Sequence, residues 1–160
     1  MTKKMGLTRG SALLLAVLAG AACAAGAALA AGSADDMITA RQAEMKANMK
    51  SMKALVSIIK GETPYDTATV QGAAKAIGEA HATAEAAGAW DAASQTGATL
   101  KTEAKAEVWT DAEGFAAAWK ALDTAAAGVA ASTDEAGLKA AFPALGGACK
   151  GCHEKFRAAE

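Results

Sequence analysis

The stretch Cys149-Lys150-Gly151-Cys152-His153 decides how the rest of the chain is interpreted. It has the Cys-x-x-Cys-His pattern by which a c-type haem is attached. Two thiols three residues apart can form thioethers with one porphyrin, and the adjacent histidine can give its imidazole to the iron. On a helix, the two cysteines and the histidine fall on one face, so that all three can reach the same cofactor. The stretch predicts one covalently attached haem c, bound through Cys149 and Cys152, with His153 as an iron ligand.

The Cys-x-x-Cys half of this pattern also occurs in redox-active dithiols and in half of many zinc sites. A zinc site needs a second pair of ligands, and the only other histidine, His81, has no cysteine near it in the sequence. A thioredoxin-like dithiol follows a strand in a βαβ unit, and the chain shows no strand pattern. Haem attachment is therefore the preferred interpretation, and we interpret His81 as a partly exposed helix histidine rather than a second iron ligand.

Residues 1–30 have the pattern of a secretory signal peptide. Three basic residues precede an apolar core, and Ala28-Leu29-Ala30 supplies a cleavage site of the A-x-A type. We therefore divide the chain into a cleaved signal peptide, residues 1–30, and a mature cytochrome domain, residues 31–160. Export fits the cysteine pattern because haem c is attached outside the bacterial cytoplasm. The sequence thus predicts a periplasmic protein.

Two alternatives for the first residues are weaker. The uncharged run 11–31 is about long enough to span a bilayer, so an uncleaved membrane anchor is one of them. The second half of that run is mainly alanine and glycine, which is typical of a cleavage region. Cys23 suggests a lipoprotein, but Gly20 stands where a lipoprotein signal has leucine. We predict no membrane association after cleavage.

Charge and composition limit the partners and the fold. The chain has 16 basic and 17 acidic residues, and loss of the three basic residues before position 30 leaves a net charge of about −4. This mildly acidic balance argues against nucleic acid and anionic membranes as partners. About 130 residues suffice for one domain. A composition rich in alanine and poor in aromatic residues predicts an all-α fold.

The first two helices are predicted over residues 34–60 and 66–87, with Gly61 as a stop and Asp66 as an N-cap. A long connection, residues 88–110, follows and carries tryptophans that should pin its ends to the bundle. The apolar residues of the first helix recur at heptad spacing, which is typical of a helix packed lengthwise in a bundle. These residues are Ile38, Met45, Met49, Met52, Val56 and Ile59.

The third and fourth helices each follow an apparent capping box, Thr110-Asp111-Ala112-Glu113 and Ser132-Thr133-Asp134-Glu135. Pro143 should kink or interrupt the fourth helix. The apolar heptad of the fourth helix includes both cysteines, so the haem should lie inside the bundle. Its members are Leu138, Phe142, Leu145, Cys149, Cys152 and Phe156.

With these features the chain resembles the class II c-type cytochromes, the cytochrome c′ family, over essentially the whole predicted mature domain. The main mark is the position of the Cys-x-x-Cys-His stretch, since class I cytochromes c carry it near the start of the chain. Weaker matching segments are Arg41-Gln42, Lys60-Gly61-Glu62-Thr63-Pro64-Tyr65-Asp66, Val108-Trp109 and Phe156-Arg157. The resemblance implies an antiparallel up-down-up-down four-helix bundle.

The resemblance also implies roles for individual residues. His153 corresponds to the proximal iron ligand, and Arg157 corresponds to the basic residue beside it. Arg41 and Gln42 correspond to residues near the haem propionates, a role that suits a guanidinium group. Met45 corresponds to the position against the distal side of the iron.

Met45 leaves two branches of the family open. In cytochrome c′ proper, the distal residue packs without binding and leaves a five-coordinate iron, which can bind or scavenge nitric oxide. In the low-spin branch, a methionine at this position binds the iron of a one-electron carrier. We expect the electron carrier with Met45 as ligand, and we keep nitric oxide binding as the alternative.

The expected partners follow from these two branches. They are periplasmic redox proteins, with nitric oxide and carbon monoxide as candidate ligands. We expect a monomer or a weak homodimer. The sequence shows no acid–base pair or activated nucleophile, so we do not expect an enzyme.

Overall fold

The computed structural model describes residues 32–158, and the predicted signal peptide lies outside these residues. The described chain has five α-helices and no β-strand beyond a single isolated bridge. The helices are α1 Ala34–Ile59, α2 Thr67–Ala86, α3 Glu107–Thr110, α4 Ala112–Ala130 and α5 Glu135–Phe156. The four long helices form a bundle in which α1 lies against α2, α2 against α4, and α4 against α5. The predicted all-α four-helix bundle is confirmed.

The bundle core is apolar and alanine-rich. Val70, Ile77 and Ala84 of α2 are buried, and so are Trp119 and Leu122 of α4. Alanine lets neighbouring helices approach closely, so the few large side chains fill the remaining space. Within residues 32–158 no helix combines the length and hydropathy that crossing a membrane requires.

The buried face of α1 matches the predicted heptad only in part. Ile38 is fully buried, but Met49 is 57% exposed, so its predicted core position is wrong. The buried face of α1 includes polar residues at heptad positions. A heptad assigned from apolar residues alone therefore does not match this face. The buried residues of α1 are Met37, Ile38, Arg41, Glu44, Ser51, Leu55 and Ile58.

The helix ends show which local signals were effective. Gly61 has a φ of 73°, the left-handed conformation that terminates α1 as predicted. The Asp66 carboxylate caps α2 by accepting a hydrogen bond from the Thr69 N–H at 2.7 Å. The two predicted capping boxes are wrong, because Asp111 and Asp134 are the N-caps of α4 and α5. Asp was the second or third residue of each predicted box, and its carboxylate replaced the expected hydroxyl.

Helix α5 continues through Pro143 up to the haem-attachment stretch, so the predicted interruption does not occur. Pro143 is exposed, as is Lys139, whose carbonyl loses its helical donor. Water can satisfy that carbonyl, so the cost of proline is smaller here than inside a core. Leu138 and Leu145 are fully buried, which confirms the inward face of α5.

The connection between α2 and α4 is ordered by contacts to α1. The Asp35 carboxylate accepts hydrogen bonds from the backbone N–H groups of Thr99, at 3.0 Å, and Leu100, at 3.2 Å. The Thr99 hydroxyl also donates to this carboxylate, at 2.5 Å, and this bond, followed by the one from the Leu100 N–H, holds the pKa of Asp35 below its usual value. The Trp109 indole donates to the Trp90 carbonyl at 3.0 Å, which joins the two ends of the connection. The 3-10 turn Ala92–Ser94 lies between them.

Candidate haem site

The attachment stretch lies in the last two turns of α5. Cys149 and Cys152 are half-buried, and Cys149 packs against the bundle core. Neither thiol forms a disulfide in the described part of the chain. Burial raises the pKa of both thiols, and the nearby Glu44 carboxyl of α1 also raises that of Cys152. Two neutral, unpaired thiols therefore face the interior at the spacing that haem attachment requires.

His153 lies next to these thiols with its surface exposed. Partial desolvation lowers its pKa, the Arg157 guanidinium lowers it further, and Glu103 opposes both. Arg157 donates from Nε to a Glu103 carboxylate oxygen at 2.6 Å. A neutral imidazole is the form that binds a metal, so this environment suits a ligand.

The connection reaches the end of α5 beside His153. The Ala158 N–H donates to the Glu103 carbonyl at 2.7 Å, and the Lys105 N–H donates to the Phe156 carbonyl at 2.9 Å. The structure therefore brings Glu103, a residue that the sequence did not single out, to the histidine. No local sequence pattern identifies Glu103, because 54 positions separate it from its partner Arg157 and only the tertiary fold brings the two together.

Met45 approaches the same interior from α1. It is half-buried and packs against the core cluster that also contacts Cys149. The structure thus brings the predicted distal residue and a predicted attachment residue to one core.

Arg41 is enclosed by the connection, with only 5% of its surface exposed. Its guanidinium donates to the carbonyls of Ala89, at 2.8 Å, and Ser94, at 3.0 Å. It also donates to the hydroxyls of Ser94, at 3.2 Å, and Thr102, at 3.0 Å, and lies 5.0 Å from the ring centre of Trp90. Arg41 therefore anchors the connection to α1. The predicted role of Arg41 near a haem propionate stays a prediction.

Gln42 lies on the exposed side of α1. Its amide nitrogen donates to the Lys101 carbonyl at 3.1 Å. This bond joins the same connection at a second, solvent-facing point. The predicted role of Gln42 near a propionate likewise stays a prediction.

Glu44 and His81 form a polar pair inside the bundle that the sequence did not predict. The Glu44 side chain is fully buried, and one of its oxygens lies 3.2 Å from His81 Nδ1 on α2. Burial raises the pKa of Glu44 to about 8, which the Arg41 guanidinium partly opposes. Burial also lowers the pKa of His81. The His81 ring stacks on Trp119 with 3.7 Å between ring centres, and His81 is a partly exposed helix residue as expected.

The structure and sequence are similar to those of known proteins. The family model described as Cytochrome C' matches residues 36–157. This chain belongs to the cytochrome c′ family. A cytochrome c′ from Pararhodospirillum photometricum is 43% identical over 122 residues, which cover 73% of this chain and 92% of that protein.

Solved members of the cytochrome c′ family have the same fold. The crystal structure from Thermochromatium tepidum has a TM-score of 0.70 and 28% identity, and the match covers 81% of this chain and all of that one. A nitric oxide complex of a mutant cytochrome c prime from Alcaligenes xylosoxidans has a TM-score of 0.68 at 24% identity, covering 80% of this chain and 98% of that one. At that identity the second likeness shows the fold alone.

Family membership assigns the cofactor class. Cytochromes c′ carry one covalently attached haem c and are electron-carrying or gas-binding haem proteins rather than classical enzymes. The chain is therefore a haem-binding c-type cytochrome.

The residues of this chain fit such a group. The two half-buried thiols and His153, whose pKa is lowered, would supply the donors. Phe156 of the same helix packs against Phe115, which contacts Trp90 and Trp119 in the bundle. Several buried polar atoms of the bundle have no hydrogen-bond partner among the described residues, as expected where an interior group or water completes a site. These atoms are Glu44 Oε2, Asn48 Oδ1, Trp90 Nε1 and Trp119 Nε1.

Proposed function

We propose that Cys149 and Cys152 attach the haem of this cytochrome c′, that His153 is the proximal ligand, and that the face toward Met45 is an open site for nitric oxide. The bound group would supply an iron centre able to bind a diatomic gas. The observation that carries the proposal is the packing of Met45 against the bundle core. A side chain held by core contacts fits the branch of the family in which the distal residue packs without binding.

The chain's own residues support this arrangement in three ways. The environment of His153 favours the neutral imidazole that binds a metal. The half-buried thiols of α5 fix the group on the inward face of the bundle. The apolar core around Met45 limits water on the distal side, which suits a neutral gas better than an anionic ligand.

Nitric oxide is the first ligand to test because the protein of the same fold from Alcaligenes xylosoxidans was solved as its nitric oxide complex. Visible spectra of the oxidised and reduced protein should be high-spin, and both nitric oxide and carbon monoxide should bind. Met45→Ala should keep the high-spin spectrum and accelerate carbon monoxide binding. Met52→Ala, at a half-buried position two turns along α1, is the matched control and should leave gas binding unchanged.

The electron carrier is the second candidate, favoured by the exposure of His153 at the protein surface. A haem bound beside the exposed His153 would give an electron a short path to a periplasmic redox partner. In this case Met45 would complete the iron coordination. A low-spin wild-type spectrum with a sulfur-to-iron band, converted to high-spin by Met45→Ala, would replace the gas-binding proposal with this one.

Attachment and export have their own test. The intact mass of protein purified from the periplasm should equal the chain from about Ala31 plus one haem. A chain with free thiols and bound zinc would contradict the attachment through Cys149 and Cys152. Light scattering should show a monomer or a weak homodimer, and a dimer that persists on dilution would contradict that expectation.

A further inference from the structure

The outer face of α1 carries an unusual set of charges. Lys46, Lys50 and Lys53 are exposed and lie on one face, together with Met49, and we call these four residues the α1 lysine stripe. After Asp36 the only acidic residue of α1 is Glu44, which is buried on the opposite side. The stripe is therefore a positive surface on a chain whose predicted mature form is acidic.

Helices α2 and α5 pair their lysines with carboxylates, whereas Lys120 of α4 has no carboxylate within 4.0 Å in the described chain and stands alone on its helix. Every lysine of α2 and α5 lies within 4.0 Å of a carboxylate, and most of the pairs are one helical turn apart. The partners are Lys75–Glu79, Lys139–Glu135, Lys150–Glu154 and Lys155–Asp111. In the described chain, no carboxylate lies that close to a lysine of the stripe.

The spacing within the stripe does not stabilise α1. Lys46 and Lys50 are an i,i+4 pair of like charge, and Lys50 and Lys53 are an i,i+3 pair. Such pairs weaken a helix, whereas the Glu–Lys pairs of α2 and α5 strengthen it. The stripe therefore has no local structural benefit, and an external partner is the simpler explanation of its charges.

Met49 adds an apolar contact at the centre of the stripe. It is one of only two large hydrophobic residues that are exposed in the described chain, and the other, Leu100, is less exposed. A flexible thioether surrounded by lysines can pack against a partner while the charges orient it. A second copy of this chain does not fit the stripe, because a two-fold contact would place lysine against lysine.

We infer that the α1 lysine stripe is a docking surface for an acidic protein, with Met49 as its apolar contact. Charge complementarity selects the partner, and the stripe lies on the helix that also carries Met45. The inference does not depend on how the iron is coordinated. It adds to the proposed function a place where a partner protein binds.

Lysine footprinting with the haem-loaded protein tests the inference, using a glutamate homopolymer as the acidic probe. The polymer should protect Lys46, Lys50 and Lys53 from acetylation while Lys75 and Lys139 stay reactive. Calorimetry should show that the triple change K46Q/K50Q/K53Q weakens binding at least about tenfold at low salt. Met49→Gln should weaken it less and leave its salt dependence unchanged, because that side chain carries no charge.

The control variant K75Q/K120Q/K139Q has the same change in net charge at other sites on the surface. It should change the affinity for the polymer by less than about twofold. Equal weakening in both triple variants, or uniform protection of all lysines, would overturn the inference. The inference would also be overturned if phosphatidylglycerol vesicles, but not the polymer, protected the stripe from acetylation. Protection of the stripe by self-association of the protein would overturn it as well. An unchanged haem spectrum in the triple variants separates this test from that of the proposed function.

Discussion

Arg41→Ala should destabilise the protein by about 3 kcal/mol, mainly by releasing the connection between α2 and α4. Arg41 makes four hydrogen bonds to that connection while only 5% exposed. A hydrogen bond from a charged donor contributes about 1.5–3 kcal/mol, and the contact with Trp90 adds about 1 kcal/mol. Desolvation of the guanidinium, which also lowers its pKa, offsets several kcal/mol of that sum. Most of the expected net loss of stability comes from the buried Ser94 carbonyl, which is left without a hydrogen-bond donor in the variant.

Denaturation by guanidinium chloride, followed by far-ultraviolet circular dichroism, measures this loss. Gln42→Ala is the matched control, because Gln42 makes one exposed bond to the same connection, and it should cost less than about 1 kcal/mol. Arg41→Lys should recover less than half of the lost stability, since an ammonium group cannot reproduce the planar, forked arrangement of N–H donors in a guanidinium group. Hydrogen exchange should accelerate in residues 89–102 first. A loss below about 1 kcal/mol in Arg41→Ala would refute the reasoning.

Three further changes test other parts of the structure. Folded Glu44 has a pKa of about 8, so the folded state keeps a proton that the unfolded state has lost, and the free energy of unfolding should fall by about 1.4 kcal/mol per pH unit from pH 6.5 to about 8. Below that window, the lowered pKa of His81 has the opposite effect on stability. Glu44→Gln should abolish the slope in pH-dependent denaturation, and an unchanged slope in this variant would contradict the assignment of the slope to buried Glu44. Asp111→Ala should cost about 1–2 kcal/mol in the same assay, because it removes both the cap of α4 and the partner of Lys155, and it should exceed Asp134→Ala, which removes a cap alone. Met49→Ala should change stability by less than about 0.5 kcal/mol, and a larger loss than that of Met52→Ala would contradict the exposure of Met49.

The sequence predicted the parts of the site that rest on local spacing. The period of α5 alone predicted an inward position for Cys149 and Cys152, which are half-buried, and His153 follows them with its surface exposed. The family resemblance then supplied the bundle and the position of Met45. The proposed haem contacts of Arg41 and Gln42 stay predictions, since the structure shows only how these residues hold the connection.

The contacts that the sequence could not predict join distant segments. Glu103 reaches Arg157 only because the connection turns back along the end of α5. Glu44 meets His81 across α1 and α2, 37 positions apart. Neither pair has a short-range pattern, and both members of the second pair are polar residues that a search for apolar periodicity passes over.

Helix α1 shows why one error of phase matters for function. Arg41, Met45 and Met49 stand on successive turns, yet the first is buried, the second half-buried and the third exposed. The helix advances 100° per residue, so positions four apart drift by about 40° per step, and the two steps from Arg41 to Met49 move from the core to solvent. If the buried face of α1 is assigned through its methionines, Met49 is placed inside the bundle and the lysine stripe is not recognised as a surface with an exposed apolar residue at its centre. A buried face drawn through Arg41, Glu44, Ser51 and Leu55 leaves Met45 beside the core and Met49 facing outward, so three successive turns of one helix offer a buried, a half-buried and an exposed position.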